Sequence, residues 1–270
     1  MFWQPGTLVT ALLLVFIFLM LRHLADRLVY YPMPYPQGDW NLQAYVGAQD
    51  LWFTTRDGVL LNAWWFPKPG SHLATVFLHG NAGNVTHRID HACAINNAGA
   101  AVLVVDYRGY GKSKGHPSES GFQMDADAAY EAVLRLGYDP THIVFQGESL
   151  GTAIAADVAS RRPCAGLILE APLASLSAMA GKVLPIIGPL LVHGFNTRAI
   201  ITQVHVPVLI IHGDADEIVP FSQGQAVFAV ANTPKGFWRV QGAHHNDLLD
   251  VADDQYVPRL RAFYKSLSPH

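Results

Sequence analysis

Six short, nearly continuous apolar runs, separated by stretches of helical pattern, constrain this chain more than any other feature. They are LATVFLHG (73–80), AAVLVVDYRG (100–109), HIVFQGES (142–149), GLILEAP (166–172), VPVLIIHGDAD (206–216) and KGFWRVQG (235–242). A strand that is apolar on both faces must be covered on both, which calls for a mostly parallel sheet with helices above and below it. Ahead of these runs, LWFTTRDGVLLNAWWF (51–66) reads as an antiparallel hairpin turning at Arg56-Asp57-Gly58. Helices are expected at about 85–97, 118–136, 152–161, 222–231 and 247–266. The fold class is therefore α/β. Half of the 270 residues are hydrophobic and 14% are charged, enough apolar material for a large core.

Between GLILEAP and VPVLII lies a segment too long for an ordinary connection, LASLSAMAGKVLPIIGPLLVHGFNTRAIITQVH. It reads either as a crossover helix with a loop or as a small apolar cap over the strand ends, at about 173–204. The cap is the preferred reading, because ligands of open parallel sheets bind at that edge. At the other end of the chain, Phe2 to Leu21 contains no ionisable side chain. As a helix, twenty such residues span roughly 30 Å, a bilayer core. No Lys or Arg precedes the run and no small-residue cleavage site follows, so an uncleaved single-pass anchor is expected rather than a signal peptide. Arg22 and Arg27 then place the following domain in the cytoplasm. The expected organisation is anchor and flank at 1–30, a Tyr- and Pro-rich connector at 31–49, and an α/β domain at 50–270. A chain beginning near Tyr35 is expected to stay soluble and to keep the activity of the domain that follows.

The run HIVFQ leads directly into Gly147-Glu148-Ser149-Leu150-Gly151, and a small-residue helix leads out. Strand, tight turn and helix around such a serine form a nucleophile elbow, which thrusts the hydroxyl out at the sheet edge. A serine needs a base to attack. GAHHND offers His244 and His245 after the last strand, and HGDADEIVP offers Asp214, Asp216 and Glu217 between the two. The order serine, acid, histidine suits a carboxylate that orients the imidazole while the imidazole takes the serine proton. HGNAGN after the first parallel strand supplies the remaining part: the backbone amides of Asn81 and Leu150 can converge on an oxyanion. These features make Ser149 a nucleophile.

FLHGNAGN, DYRGYGKS, GESLG, HGDADEIVP and GAHHND together resemble the α/β-hydrolase-fold serine hydrolases, over about residues 50–266. With the expected anchor, the set looks most like the single-pass, membrane-anchored α/β-hydrolase-domain proteins, which include esterases and relatives of protein depalmitoylases. The resemblance implies that the acid is the last residue of His-Gly-x-x-Asp, Asp216, and that the base is the fourth residue of Gly-x-Gly-His, His245. The chain departs from that pattern by carrying His244 where glycine is usual. The implied activity is hydrolysis of esters or thioesters of apolar acyl groups, on a small-molecule or lipidated substrate. A peptidase of the same fold is the alternative, and a non-catalytic binding module a more distant one.

Other candidates read as structural. Asp214 is expected in a solvated loop and Glu170 in a supporting role, while Asp106 and Arg108 are expected to tie down a turn through local hydrogen bonds. His79 reads as a structural histidine, and Glu148 receives no role. His87 and His91 have metal-ligand spacing, but HRIDH lacks the glutamate of a zinc protease and an evident third ligand. Cys93 and Cys164 form neither a disulfide framework nor a metal motif. No cofactor or metal is called for. A net charge of −3 gives no electrostatic basis for nucleic-acid binding.

Overall fold

The apolar runs form one eight-stranded sheet. The structure, a computed structural model, describes residues 16, 20, 29–192 and 194–267. The strands are β1 (Gln49–Thr54), β2 (Leu60–Phe66), β3 (Ala74–Leu78), β4 (Ala101–Val105), β5 (Ile143–Glu148), β6 (Gly166–Glu170), β7 (Val208–Gly213) and β8 (Lys235–Val240). Their order across the sheet is β1-β2-β4-β3-β5-β6-β7-β8. The β1–β2 hairpin is antiparallel and joins β4 antiparallel, and every pairing from β4 to β8 is parallel. All five residues of β3, β4 and β6 are buried, the consequence of apolar side chains on both faces. Each such Val, Ile or Leu contributes about 1.5–3 kcal/mol.

The main helices are α1 (Ile89–Ala98), α2 (Glu119–Arg135), α3 (Leu150–Arg161), α4 (Leu176–Val183), α5 (Phe221–Val230) and α6 (Tyr256–Leu267). Side chains of α1 and α6 pack in one apolar cluster, and those of α2, α3 and α5 in another, so the two faces have separate cores. The closing helix expected at 247–266 is broken. Leu248–Ala252 forms a short helix, Asp253 takes a left-handed φ of 42°, and α6 begins at Tyr256. Pro258 explains the break: it has no N–H, and its ring clashes with a carbonyl four residues back, so a helix cannot run through 254–258 uninterrupted.

The β6–β7 connection has two parts. Phe195, Thr197, Ile201 and Val204 are buried and form a crossover against α3. Ahead of them, α4 and a single turn at Gly188–Leu191 stand proud, exposing Leu184, Ile186, Ile187 and Leu190. The Lys182 ammonium donates to the Glu217 carbonyl at 2.7 Å, which places α4 beside the loop after β7. Cap and crossover thus share the segment that the sequence offered as one or the other.

The N-terminal expectation is corrected. Among the described residues no helix is long and apolar enough to cross a membrane. The membrane localisation and its cytoplasmic orientation are therefore not upheld, and the expected span at 2–21 lies, apart from residues 16 and 20, outside the described residues. The connector is not a free spacer either. Tyr31 and Pro32 pair in parallel with Ala82 and Gly83, Tyr35 N–H donates to Gly111 O, and the Asn84 amide side chain donates to the carbonyls of Met33 and Gln37.

Candidate active site

The turn from β5 into α3 holds Ser149 at φ 52° and ψ −116°, backbone that a residue with a side chain rarely adopts. The neighbouring glycines make room for it. A Cβ on Gly151 would lie 1.9 Å from the Leu78 carbonyl oxygen, and one on Gly147 would lie 2.3 Å from the Gly151 carbonyl oxygen. Both contacts are with backbone, which cannot swing aside. Gly151→Ala is accordingly expected to destabilise the fold by about 1–3 kcal/mol or more, read as a lowered urea midpoint. The turn is fixed by the Ser149 N–H donating to Glu170 O at 2.8 Å and by the Thr152 N–H and hydroxyl donating to Ser149 O.

The loops after β7 and β8 deliver the other two groups. His245 Nε2 lies 3.0 Å from Ser149 Oγ, and His245 Nδ1 lies 2.7 Å from Asp216 Oδ2. Since a carboxylate only accepts, Nδ1 carries the proton and Nε2 is left to accept from the hydroxyl. The second Asp216 oxygen accepts from the amides of Ile218 and Val219 at 2.9 and 2.7 Å. Burial opposes ionisation of Asp216, but hydrogen bonds from His212 and His245 and the Val219 amide outweigh it and hold the carboxyl well below the usual range. His212 went unnoticed in the sequence although it opens the His-Gly-x-x-Asp motif. It is fully buried, with Nε2 3.0 Å from Val219 O and 3.3 Å from Asp216 Oδ2. Both neighbours are acceptors, so Nε2 is the protonated nitrogen.

The paired histidines separate cleanly. His244 is 55% exposed, its Nδ1 3.0 Å from Glu217 Oε2, and it has no contact with Ser149 or Asp216. Its hydrogen bond to Glu217, stronger than the small cost of burial, raises its pKa. Asp214 is engaged elsewhere, accepting from the Gly242 amide at 2.7 Å and from Arg239.

Asn81 follows β3 beside the elbow, and the Leu150 amide opens α3. Among the described residues the Asn81 N–H has no acceptor. The Asn81 side chain is held on both sides: its Nδ2 donates to Val29 O at 2.5 Å, and its Oδ1 accepts from the Tyr31 N–H at 3.3 Å and the Tyr110 hydroxyl at 3.1 Å. Residues 29–31 thus brace this loop, a contact that nothing local in the sequence announces.

His79 is structural, fully buried with Nδ1 2.7 Å from Gly80 O and its ring against Tyr107 and Tyr110. Burial and the nearby Arg88 push its pKa down to about 3. Asp106 and Arg108 do more than tie a local turn. Asp106 accepts from the Val85 amide at 2.8 Å, and burial pushes its carboxyl up to about 8. Arg108 bridges Asp125 on α2 to Asp57 in the β1–β2 turn, at 2.9 and 2.8 Å. His87 and His91 go to different partners: His87 Nδ1 accepts from the Asn84 N–H at 3.3 Å, whereas His91 Nε2 lies 3.3 Å from Glu170 Oε2. Glu170 also accepts from the Tyr256 hydroxyl at 2.6 Å. Glu148, given no role from sequence, pairs with Arg88 Nε at 2.6 Å.

Known proteins share this fold. A family model described as alpha/beta hydrolase fold matches residues 75–200. The alpha/beta hydrolase domain-containing protein 17C of Homo sapiens is 33% identical, over 87% of this chain and 71% of its own length. This chain belongs to the alpha/beta hydrolases. An uncharacterized protein of Mycobacterium tuberculosis is 41% identical to this hydrolase, over 83% of this chain and 82% of its own length. An esterase of Pyrococcus furiosus superposes with a TM-score of 0.74 at 21% identity, covering 88% of this hydrolase and 98% of the esterase, a likeness of fold.

Proposed function

We propose that this hydrolase cleaves carboxylic esters or thioesters of apolar acyl groups through an acyl-enzyme on Ser149. The observation that carries the proposal is the unbroken relay from Ser149 Oγ to His245 Nε2 at 3.0 Å and from His245 Nδ1 to Asp216 at 2.7 Å. In this reading Oγ attacks the acyl carbon while Nε2 takes its proton. The imidazolium then gives that proton to the departing oxygen or sulfur as the bond to the acyl carbon breaks. Water, deprotonated by His245, releases the acid and restores Oγ–H. Asp216, ionised and held by two amides, orients the imidazole and stabilises its charged form. The amides of Asn81 and Leu150 receive the oxyanion, a contribution of about 3–4 kcal/mol for one such donor.

The preference for apolar acyl groups rests on the cap, proposed at about 173–204. Its exposed Leu184, Ile186, Ile187 and Leu190 follow Lys182, whose ammonium meets the loop that carries Asp216. Each methylene buried against such a surface contributes about 0.8 kcal/mol. The test is kcat/KM for matched esters of increasing acyl length, with aminoacyl amides alongside. A rise from acetyl toward octanoyl is expected. Higher values on the amides than on every ester would instead make the enzyme a peptidase.

The bracing of Asn81 alters the expectation for shortened chains. Tyr31→Pro removes the N–H that Asn81 Oδ1 accepts, and is expected to lower kcat about tenfold with KM little changed. Tyr31→Ala, which keeps that N–H, is expected to retain activity. Equal kcat values for the two variants would show the contact to be idle. A chain beginning at Tyr35 loses the same brace and should behave like the proline variant.

A further inference from the structure

On the α1 side of Ser149 lies a cleft of about 260 Å³ lined by Arg88, His91, Glu148, Glu170, His245 and Asn246, among others. Its floor carries two ion pairs, Arg88 Nε to Glu148 Oε2 at 2.6 Å and His91 Nε2 to Glu170 Oε2 at 3.3 Å. Their side chains are only 2–22% exposed. Burial opposes ionisation of Glu148, but Arg88 and His91 bring its carboxyl down to about 2; burial likewise opposes protonation of His91, but Glu170 raises its pKa. Ion pairs taken out of water add little stability, and covering them with an apolar group forfeits their remaining hydration. An occupant of this cleft is therefore selected for hydrogen-bonding groups. At the rim stand Asp90 and Asp250, exposed and without a cationic partner among the described residues, which disfavours an anion.

The position of the cleft identifies which part of a substrate it meets. His245 lines it, and His245 Nε2 is the atom that hands its proton to the departing oxygen or sulfur. The apolar cap stands on the opposite side, over the α2–α3–α5 face, while the cleft belongs to the α1–α6 face. We propose that this cleft is a leaving-group subsite for a polar, hydrogen-bonding, non-anionic alcohol or thiol portion, so that the substrate is an amphiphile joined at the scissile bond. The inference rests on the acyl-enzyme reading given above. Acylation transfers the acyl group to Oγ and the Oγ proton, through His245, to the leaving atom. Only this step senses the cleft, because deacylation begins after the leaving group has gone.

The test uses octanoate esters of propanol, glycerol and glyceric acid below their micellar concentrations, with kcat/KM divided by the rate constant for alkaline hydrolysis of each ester. The normalised value for the glycerol ester is expected to exceed the propyl ester by about tenfold or more, with the anionic glycerate ester below the glycerol ester. His91→Gln and Arg88→Gln, each breaking one ion pair, are expected to bring the glycerol-to-propyl ratio toward unity. Both variants are read as a ratio within one protein, so partial loss of folded enzyme does not mimic the effect. Cleavage of all three esters with ratios near unity in the parent enzyme, or a ratio that survives in both variants, overturns the subsite and leaves the acyl-enzyme reading intact. Failure to cleave any of them overturns both.

Discussion

Ser149→Ala is expected to lower kcat for ester hydrolysis by about 10³-fold or more while leaving the fold in place. Two structural facts make the loss one of chemistry. Alanine keeps the Cβ that the backbone at φ 52° already accommodates, so no new strain enters the elbow. The hydroxyl's hydrogen bond in the structure is to His245 Nε2, at 3.0 Å, so its removal leaves Asp216, its two amides and His212 undisturbed. The activity that remains comes from the oxyanion amides and from binding. Urea midpoints of the parent and variant should differ by less than about 1 kcal/mol in unfolding free energy. A variant that turns over esters at the parent rate would remove Ser149 from the mechanism.

The second large effect discriminates between neighbours. His245→Gln is expected to lower kcat by about 10³-fold or more, whereas His244→Gln should stay within about threefold of the parent. The geometry separates them: one imidazole bridges Ser149 and Asp216, and the other stands at the surface beside Glu217. The acids divide the same way. Asp216→Asn replaces an acceptor with a group that can present an N–H to His245 Nδ1, favouring the wrong tautomer, and should cost about 10³–10⁴-fold. Asp214→Asn touches only Arg239 and the Gly242 turn and should leave kcat near the parent value. Steady-state kinetics on one short-chain ester measures all four variants. An inactive His244 variant beside an active His245 variant would reverse the assignment.

What the sequence disclosed was local or periodic. Strand runs such as AVLVV declared a sheet covered on both faces because burial on both faces requires apolar residues at every position. The elbow was legible for a similar reason: Gly147 and Gly151 are demanded by backbone atoms of the same turn and of the adjacent β3, a steric need that leaves its mark at fixed spacing. Choosing between His244 and His245 took the family pattern, since both sit in one exposed loop and only the folded chain turns one of them inward. Contacts between distant segments left no such mark. Arg108 meets Asp57 and Asp125 across separations of 51 and 17 residues, and Arg88 finds Glu148 across the mouth of the sheet. Their pairing depends on which strands the topology makes neighbours. The docking of residues 29–37 on the loops after β3 and β4 was hidden for a further reason. It is made largely by backbone groups and by the side chains of Asn81 and Asn84, so YYPMPYPQ reads as a spacer while its carbonyls and amides are engaged.

Catalysis through an acyl group carried on Ser149 is tested by locating a covalent adduct. The enzyme is treated with a fluorophosphonate, digested, and mapped by peptide mass spectrometry while residual esterase activity is followed. One phosphonylated residue, Ser149, is expected, with labelling rising in proportion to lost activity and strongly slowed in His245→Gln. Full loss of activity with Ser149 unmodified and another residue carrying the adduct would contradict it.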